Sequence, residues 1–117
     1  MSLEVGVERT VRDGVDVLRI AGELDLTTVA DADARISEAD AGDLVLDLTG
    51  LTFLDSAAVH LLFRTVRRLR GEERQLAFVV PSGSPAHRIV EILDLGSAAP
   101  VRSSLDEAIE ALAAGSG

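Results

Sequence analysis

The chain has 117 residues, 47% of them hydrophobic, with 20 acidic against 11 basic side chains and a net charge of -9. That length and apolar share suit one core, and the negative charge repels a polyanion over most of the surface, which excludes nucleic acid as a first choice of partner. No cysteine is present, so disulfides, thiolate catalysis and cysteine-bound zinc are excluded together; with no secretory signal pattern and no run near the ~20 apolar residues of a membrane span, a cytoplasmic protein without membrane insertion is expected.

Leu3, Val5, Val7 and Val11 lie at odd positions, the period of a strand, and Asp13-Gly14 supplies the positive-φ residues of a tight turn before Val15-Asp16-Val17-Leu18-Arg19-Ile20. An antiparallel hairpin is expected. Thr28-Val29-Ala30-Asp31 reads as a helix start, and Val29, Ala32, Ile36 and Ala39 form a stripe running to about Asp40. Leu44 to Leu48 is a nearly continuous apolar run that suits a strand covered on both faces, as does Leu76 to Val80. Between them Val59, Leu62, Val66 and Leu69 form a second helical stripe, with Gly71 as its stop.

Ser84-Pro85 places a cap before a first-turn proline, and Ile89, Val90 and Leu93 follow as the inner face of a third helix. In Asp94-Leu95-Gly96 the glycine reads as a shifted helix stop. After a short strand at Pro100-Val101-Arg102, Ser104-Leu105-Asp106-Glu107 is a capping box opening a fourth helix, and residues 113–117 read as a frayed tail. The expected fold is α/β: a mixed sheet with an N-terminal antiparallel hairpin, its remaining strands parallel by right-handed crossover, covered by about four helices in a single domain over 1–117.

In such sheets ligands bind at the carboxyl ends of the strands, so Glu23 to Thr28 and Leu51 to Ser56 are expected side by side. Ser56 stands just before the second helical stripe, where a hydroxyl caps unpaired backbone N–H groups; Asp55 is the alternative cap. Neither role accounts for the apolar pair Phe53-Leu54 before them.

A Ser56–His60 dyad can be drawn, but the Gly-x-Ser-x-Gly elbow and an orienting acid are missing, so no catalysis is expected. His60 is read as a surface or capping residue and His87 as solvated. Glu23, Asp25 and Asp55 could approach one another, yet no loop has the Asp-x-Asp spacing of a calcium site, and Ser82-Gly83-Ser84 lacks the Gly-Lys-Ser ending of a phosphate loop; no metal or cofactor is expected. Arg64, Arg67, Arg68, Arg70 and Arg74 form a basic segment, read as a solvated helix end or as a docking patch for an acidic partner.

Gly22-Glu23-Leu24-Asp25, then Leu46-Asp47-Leu48 and Phe53-Leu54-Asp55-Ser56-Ala57-Ala58-Val59, resemble the STAS domain of bacterial anti-sigma-factor antagonists. Ser84-Pro85-Ala86 with Arg88 and Glu91, and Ser104 to Ala108, extend the resemblance over nearly the whole chain. The resemblance implies a phosphoprotein switch that controls transcription by partner switching. Its partners would be an anti-sigma factor that is itself a serine kinase, and a phosphatase. By match Ser56 is the phosphoacceptor and Thr52 a weaker one, while Glu23, Asp25, Thr27, Asp55, Ser56 and Ala58 face the partner. The unphosphorylated form would hold the kinase and free the sigma factor. Ala58 replaces the family's glycine, where a methyl group is expected to narrow the partner's approach. The fold also suggests a second role, as an adaptor subunit of a membrane-associated complex such as a lipid transporter. The sequence sets no oligomeric state.

Overall fold

The computed structural model describes residues 5–40 and 42–115, so Leu3 of the first strand pattern lies outside the described residues. Strands β1 (Val5–Arg12) and β2 (Val15–Leu24) form the hairpin, and helix α1 (Val29–Glu38) leads to β3 (Leu44–Leu54). Helix α2 (Ser56–Gly71), β4 (Leu76–Val79), α3 (Pro85–Ile92), a single 3-10 turn at Leu95–Ser97, β5 (Val101–Arg102) and α4 (Leu105–Gly115) complete the chain. The sheet order is β1-β2-β3-β4-β5, antiparallel between β1 and β2 and parallel elsewhere. Asp13 and Gly14 both take positive φ, 54° and 78°, as a two-residue hairpin turn requires.

Alternation along the strands divides the core. Leu18, Ile20, Leu46, Leu48 and Phe78 pack with residues of α1, α2 and α3, whereas Val17, Val45, Ala77 and Val79 pack with Ala108 and Leu112 of α4. Each fully buried Leu or Phe of the first group contributes about 2 kcal/mol relative to an exposed one, so that group dominates the stability. Among the buried polar side chains, Asp16 carries a charge and is met by Arg9 Nε and Nη2 at 3.0 and 2.9 Å.

Several boundaries differ from the sequence reading, each for a local reason. The strand expected over 44–48 continues to Leu54, because Thr49-Gly50 is not a turn: two register shifts carry β3 past it while it stays paired with β2. A Cβ at Gly50 would lie 2.7 Å from Ala21 Cβ, so glycine here permits close approach of the strands. β4 covers only Leu44 to Asp47, and the upper half of β3 rises beyond it.

Helix α2 does stop at Gly71, but the left-handed residue beyond it is Glu73, φ 58°, with Arg74 N–H donating to Leu69 O. After α3 the left-handed residue is Asp94 itself, φ 52°, and Gly96 lies inside the 3-10 turn. Ala113 to Gly115, read as part of a frayed tail, belong to α4. Thr28 precedes α1 without capping it through its side chain. Among the described residues no helix is long and apolar enough to cross a membrane.

Candidate partner-binding site

The carboxyl ends of β2 and β3 bring the two motif loops together as expected. Glu23 stands beside Phe53 and Leu24 beside Leu54 in the parallel register, and Asp55 N–H donates to Leu24 O at 3.3 Å. The aspartate, not the serine, is the cap of α2. Asp55 Oδ1 accepts from Ala58 N–H at 3.1 Å, while its Oδ2 accepts from Leu26 N–H, also at 3.1 Å. One carboxylate therefore fixes a helix start and pins the neighbouring loop to it.

Ser56 is the first residue of α2, exposed, and its hydroxyl makes no hydrogen bond among the described residues. The reason is the spacing: Asp55 already occupies the extended cap position, φ -116° and ψ -168°, so the next side chain projects outward. The capping role expected for Ser56 is corrected accordingly.

The neighbouring loop is closed on itself. Asp25 Oδ1 accepts from Thr27 N–H at 2.9 Å and from Thr27 Oγ1 at 2.6 Å. The Thr27 hydroxyl is the largest influence holding the Asp25 carboxyl below its ordinary value of 3.8; burial, next in size, opposes it, and the backbone N–H groups of Thr27 and Thr28 assist. Thr28, buried, donates to Glu23 O at 2.8 Å and accepts from Asp25 N–H at 3.0 Å, which explains why it does not cap α1. Thr52 donates to Gly22 O at 3.2 Å, so that hydroxyl is engaged where Ser56's is not. Glu23 Oε2 is buried without a hydrogen-bond partner among the described residues.

Ala58 does not belong to the rim. It is fully buried, so its methyl group faces the core and cannot narrow an approach to Ser56 or touch a partner. Among the described residues no three His, Cys, Asp or Glu side chains are placed to hold a metal ion. His60 is exposed one turn beyond Ser56 and makes no hydrogen bond to it. His87 is not simply solvated; its ring accepts from Gly83 N–H at 3.4 Å and lies 3.2 Å from Glu91.

Several arginines of the basic segment are engaged by neighbouring elements. Arg64 pairs with Asp33 at 3.2 Å, Arg70 donates to Ala98 O at 2.9 Å, and Arg74 reaches the carbonyls of Ala39 and Gly42 at 2.6 Å each. Arg64, Arg67 and Arg70 remain exposed, so the solvated helix end describes part of the segment, while Arg74 is largely covered.

The sequence reading missed the apolar part of the rim. Leu26, Phe53, Ile92 and Leu93 are 75%, 47%, 67% and 42% exposed, and an open depression of about 360 Å³ runs between Ser56, Leu54, Val59, His60 and the outer face of α3. Leu93, assigned to the core by periodicity, lies on this rim. The available signal was Phe53-Leu54, an apolar pair that no local role explained; Ile92-Leu93 gave none beyond one residue too many for the α3 stripe. Exposed apolar side chains grouped around a free hydroxyl suit a protein partner.

A family model for the STAS domain matches residues 7–108. The chain belongs to the STAS domain family. It is similar to the anti-sigma-F factor antagonist RsfB of Mycobacterium tuberculosis, 32% identical over 120 residues that cover 98% of this chain and 97% of that protein. Among solved structures, an anti-sigma factor antagonist from Mycobacterium paratuberculosis is 26% identical with a TM-score of 0.80, over 93% of this chain and 94% of that one. The Bacillus cell fate determinant SpoIIAA in its phosphorylated form is also 26% identical, TM-score 0.63, over 91% and 96% of the two chains. The mixed five-stranded sheet with four helices is thus the STAS fold.

Proposed function

We propose that this STAS domain is an anti-sigma-factor antagonist whose binding to an anti-sigma factor is switched by phosphorylation of Ser56. The observation that carries the reading is the Ser56 hydroxyl, exposed and unengaged beside a cap that holds the loop without it. The similarity to RsfB and to a phosphorylated SpoIIAA supports it. On this reading the anti-sigma factor is a serine kinase, a phosphatase reverses the change, and the domain itself catalyses nothing.

The physics favours a local switch. A phosphate adds about -1.5 to -2 charges at the positive end of α2, where the helix dipole tolerates them. The fold therefore survives. At a packed interface the same charge must be desolvated beside Asp25 and Asp55, and the apolar rim of Leu26, Phe53, Ile92 and Leu93 offers it no donor. Binding weakens for that reason, with Glu23, Asp25, Thr27 and Asp55 shaping the rim. The domain remains in the cytoplasm throughout.

The test uses Ser56→Ala and Ser56→Asp proteins as baits in lysate of the source cells. Capture of an ATP-binding anti-sigma factor by the first and its loss with the second is expected. Equal capture of membrane transporter subunits by both would overturn the switch and favour an adaptor.

A further inference from the structure

The groove between α1 and α2 is crossed by two rungs with the same spacing on both helices. At the first, Arg64 Nη2 meets Asp33 Oδ2 at 3.2 Å. At the second, four residues on along each helix, Arg68 Nη1 donates to Ser37 Oγ at 2.8 Å. The rungs differ in charge: the first guanidinium has its anion, and the second has only a hydroxyl. Arg68 Nη2 is buried and has no hydrogen-bond partner among the described residues. A guanidinium offers a planar fork that matches an oxyanion through two parallel bonds, and here one prong is used.

We propose that Ser37 is a second phosphoacceptor, and that its phosphate supplies the anion missing beside Arg68, bracing α1 against α2. Ser37 is exposed in the last turn of α1, which ends at Glu38, so a protein serine kinase reaches it by fraying one turn. The Ser37 oxygen attacks the γ-phosphorus of a nucleoside triphosphate, a new O–P bond forms as the bond to the β-phosphate oxygen breaks, and the serine proton passes to the kinase's base, leaving the nucleoside diphosphate. The phosphate faces Arg68 with Arg64 one turn away; Glu38 and the negative end of α1 oppose it, which makes the arginine fork necessary. Because Val29 at the start of α1 is tied to Asp25 O at 2.8 Å, bracing the helix steadies the rim loop from its far end without placing charge on the rim. This inference is independent of the role of Ser56.

Trypsin leaves Ile36 to Arg64 as one peptide holding both Ser37 and Ser56, so fragment ions from the protein isolated from its own cells report the two sites separately. Phosphate on Ser37 in a fraction of the molecules under some growth or stress condition is expected. Recovery of the peptide with Ser37 unmodified throughout overturns the proposal. The second measurement installs phosphoserine at position 37 by genetic-code expansion, with Arg68 and with Arg68→Gln, and titrates the phosphate by phosphorus NMR after circular dichroism has shown both to be folded. The phosphate should ionise about half a pH unit or more lower when Arg68 is present. Identical titrations, or a lower Tm than the unmodified chain's, would show that no fork receives it.

Discussion

The two ends of α2 are both crowded with polar side chains, and they use them in opposite ways. At its C-terminal end arginines that stand out in the sequence are engaged within the molecule, Arg74 on two carbonyls and Glu72, Arg70 at the surface on Ala98 O. At its N-terminal end Asp55 is committed twice over, and that commitment frees the serine beside it. Arginines of a conspicuous charge cluster thus tie elements together, while a single inconspicuous hydroxyl is left unengaged. Functional candidates are better ranked by what remains unengaged than by how unusual the composition looks.

The contrast can be broken from either end. The largest effect is expected from Arg74→Ala, which removes the donors to Ala39 O, part-buried, and to Gly42 O, exposed, and should cost about 3 kcal/mol in urea unfolding. Asp55→Ala removes the cap and the tie to Leu26 N–H; about 2 kcal/mol should be lost, with amide shifts in NMR spread over both loops. Ala58→Gly, restoring the family residue, empties a buried methyl site and loosens the helix for about 1 to 2 kcal/mol. It should leave binding through Ser56 unchanged, because residue 58 does not reach the surface.

Ser56→Ala should lie within about 0.5 kcal/mol of wild type, since no bond is lost; a cost near that of Asp55→Ala would mean that the serine is structural after all. The smallest effect concerns Asp25. Its folded-state carboxyl ionises below the ordinary value of 3.8, so its contribution is present above that pH and is lost as the pH falls through the folded-state value. Thr27→Val removes the main cause and should move the carboxyl titration, followed by NMR, back toward 3.8.

How much of this was legible in the sequence follows from the range of the interactions. Asp13-Gly14, the Ser84 cap and the stripe of α2 depend on neighbours a few residues away, and all three stand as expected. Ser56 was misassigned as the cap because a one-residue difference in where α2 begins decides which side chain faces the helix. The length of β3 was hidden by Thr49-Gly50, a turn-like pair whose glycine is explained only by Ala21 across the sheet. The arginines were unreadable for the same reason: their partners lie some 30 residues distant, at Asp33, Gly42 and Ala98. The STAS resemblance pointed to the loops that the fold brings together, but whether each side chain is free or engaged required the packing.

The stagger of β3 bears on how fast the site can be reached. Leu44 to Asp47 have a strand on either side, whereas Leu51 to Leu54 are paired with β2 alone. Amide exchange along this one strand should therefore be graded, slow where it is sandwiched and faster toward Asp55, because local opening follows the number of neighbours that must be parted. An enzyme drawing Ser56 into its own cleft needs to peel only the upper corner of the sheet. Leu46, Leu48 and Phe78 stay closed beneath, so the modification proposed at Ser56 requires no global unfolding.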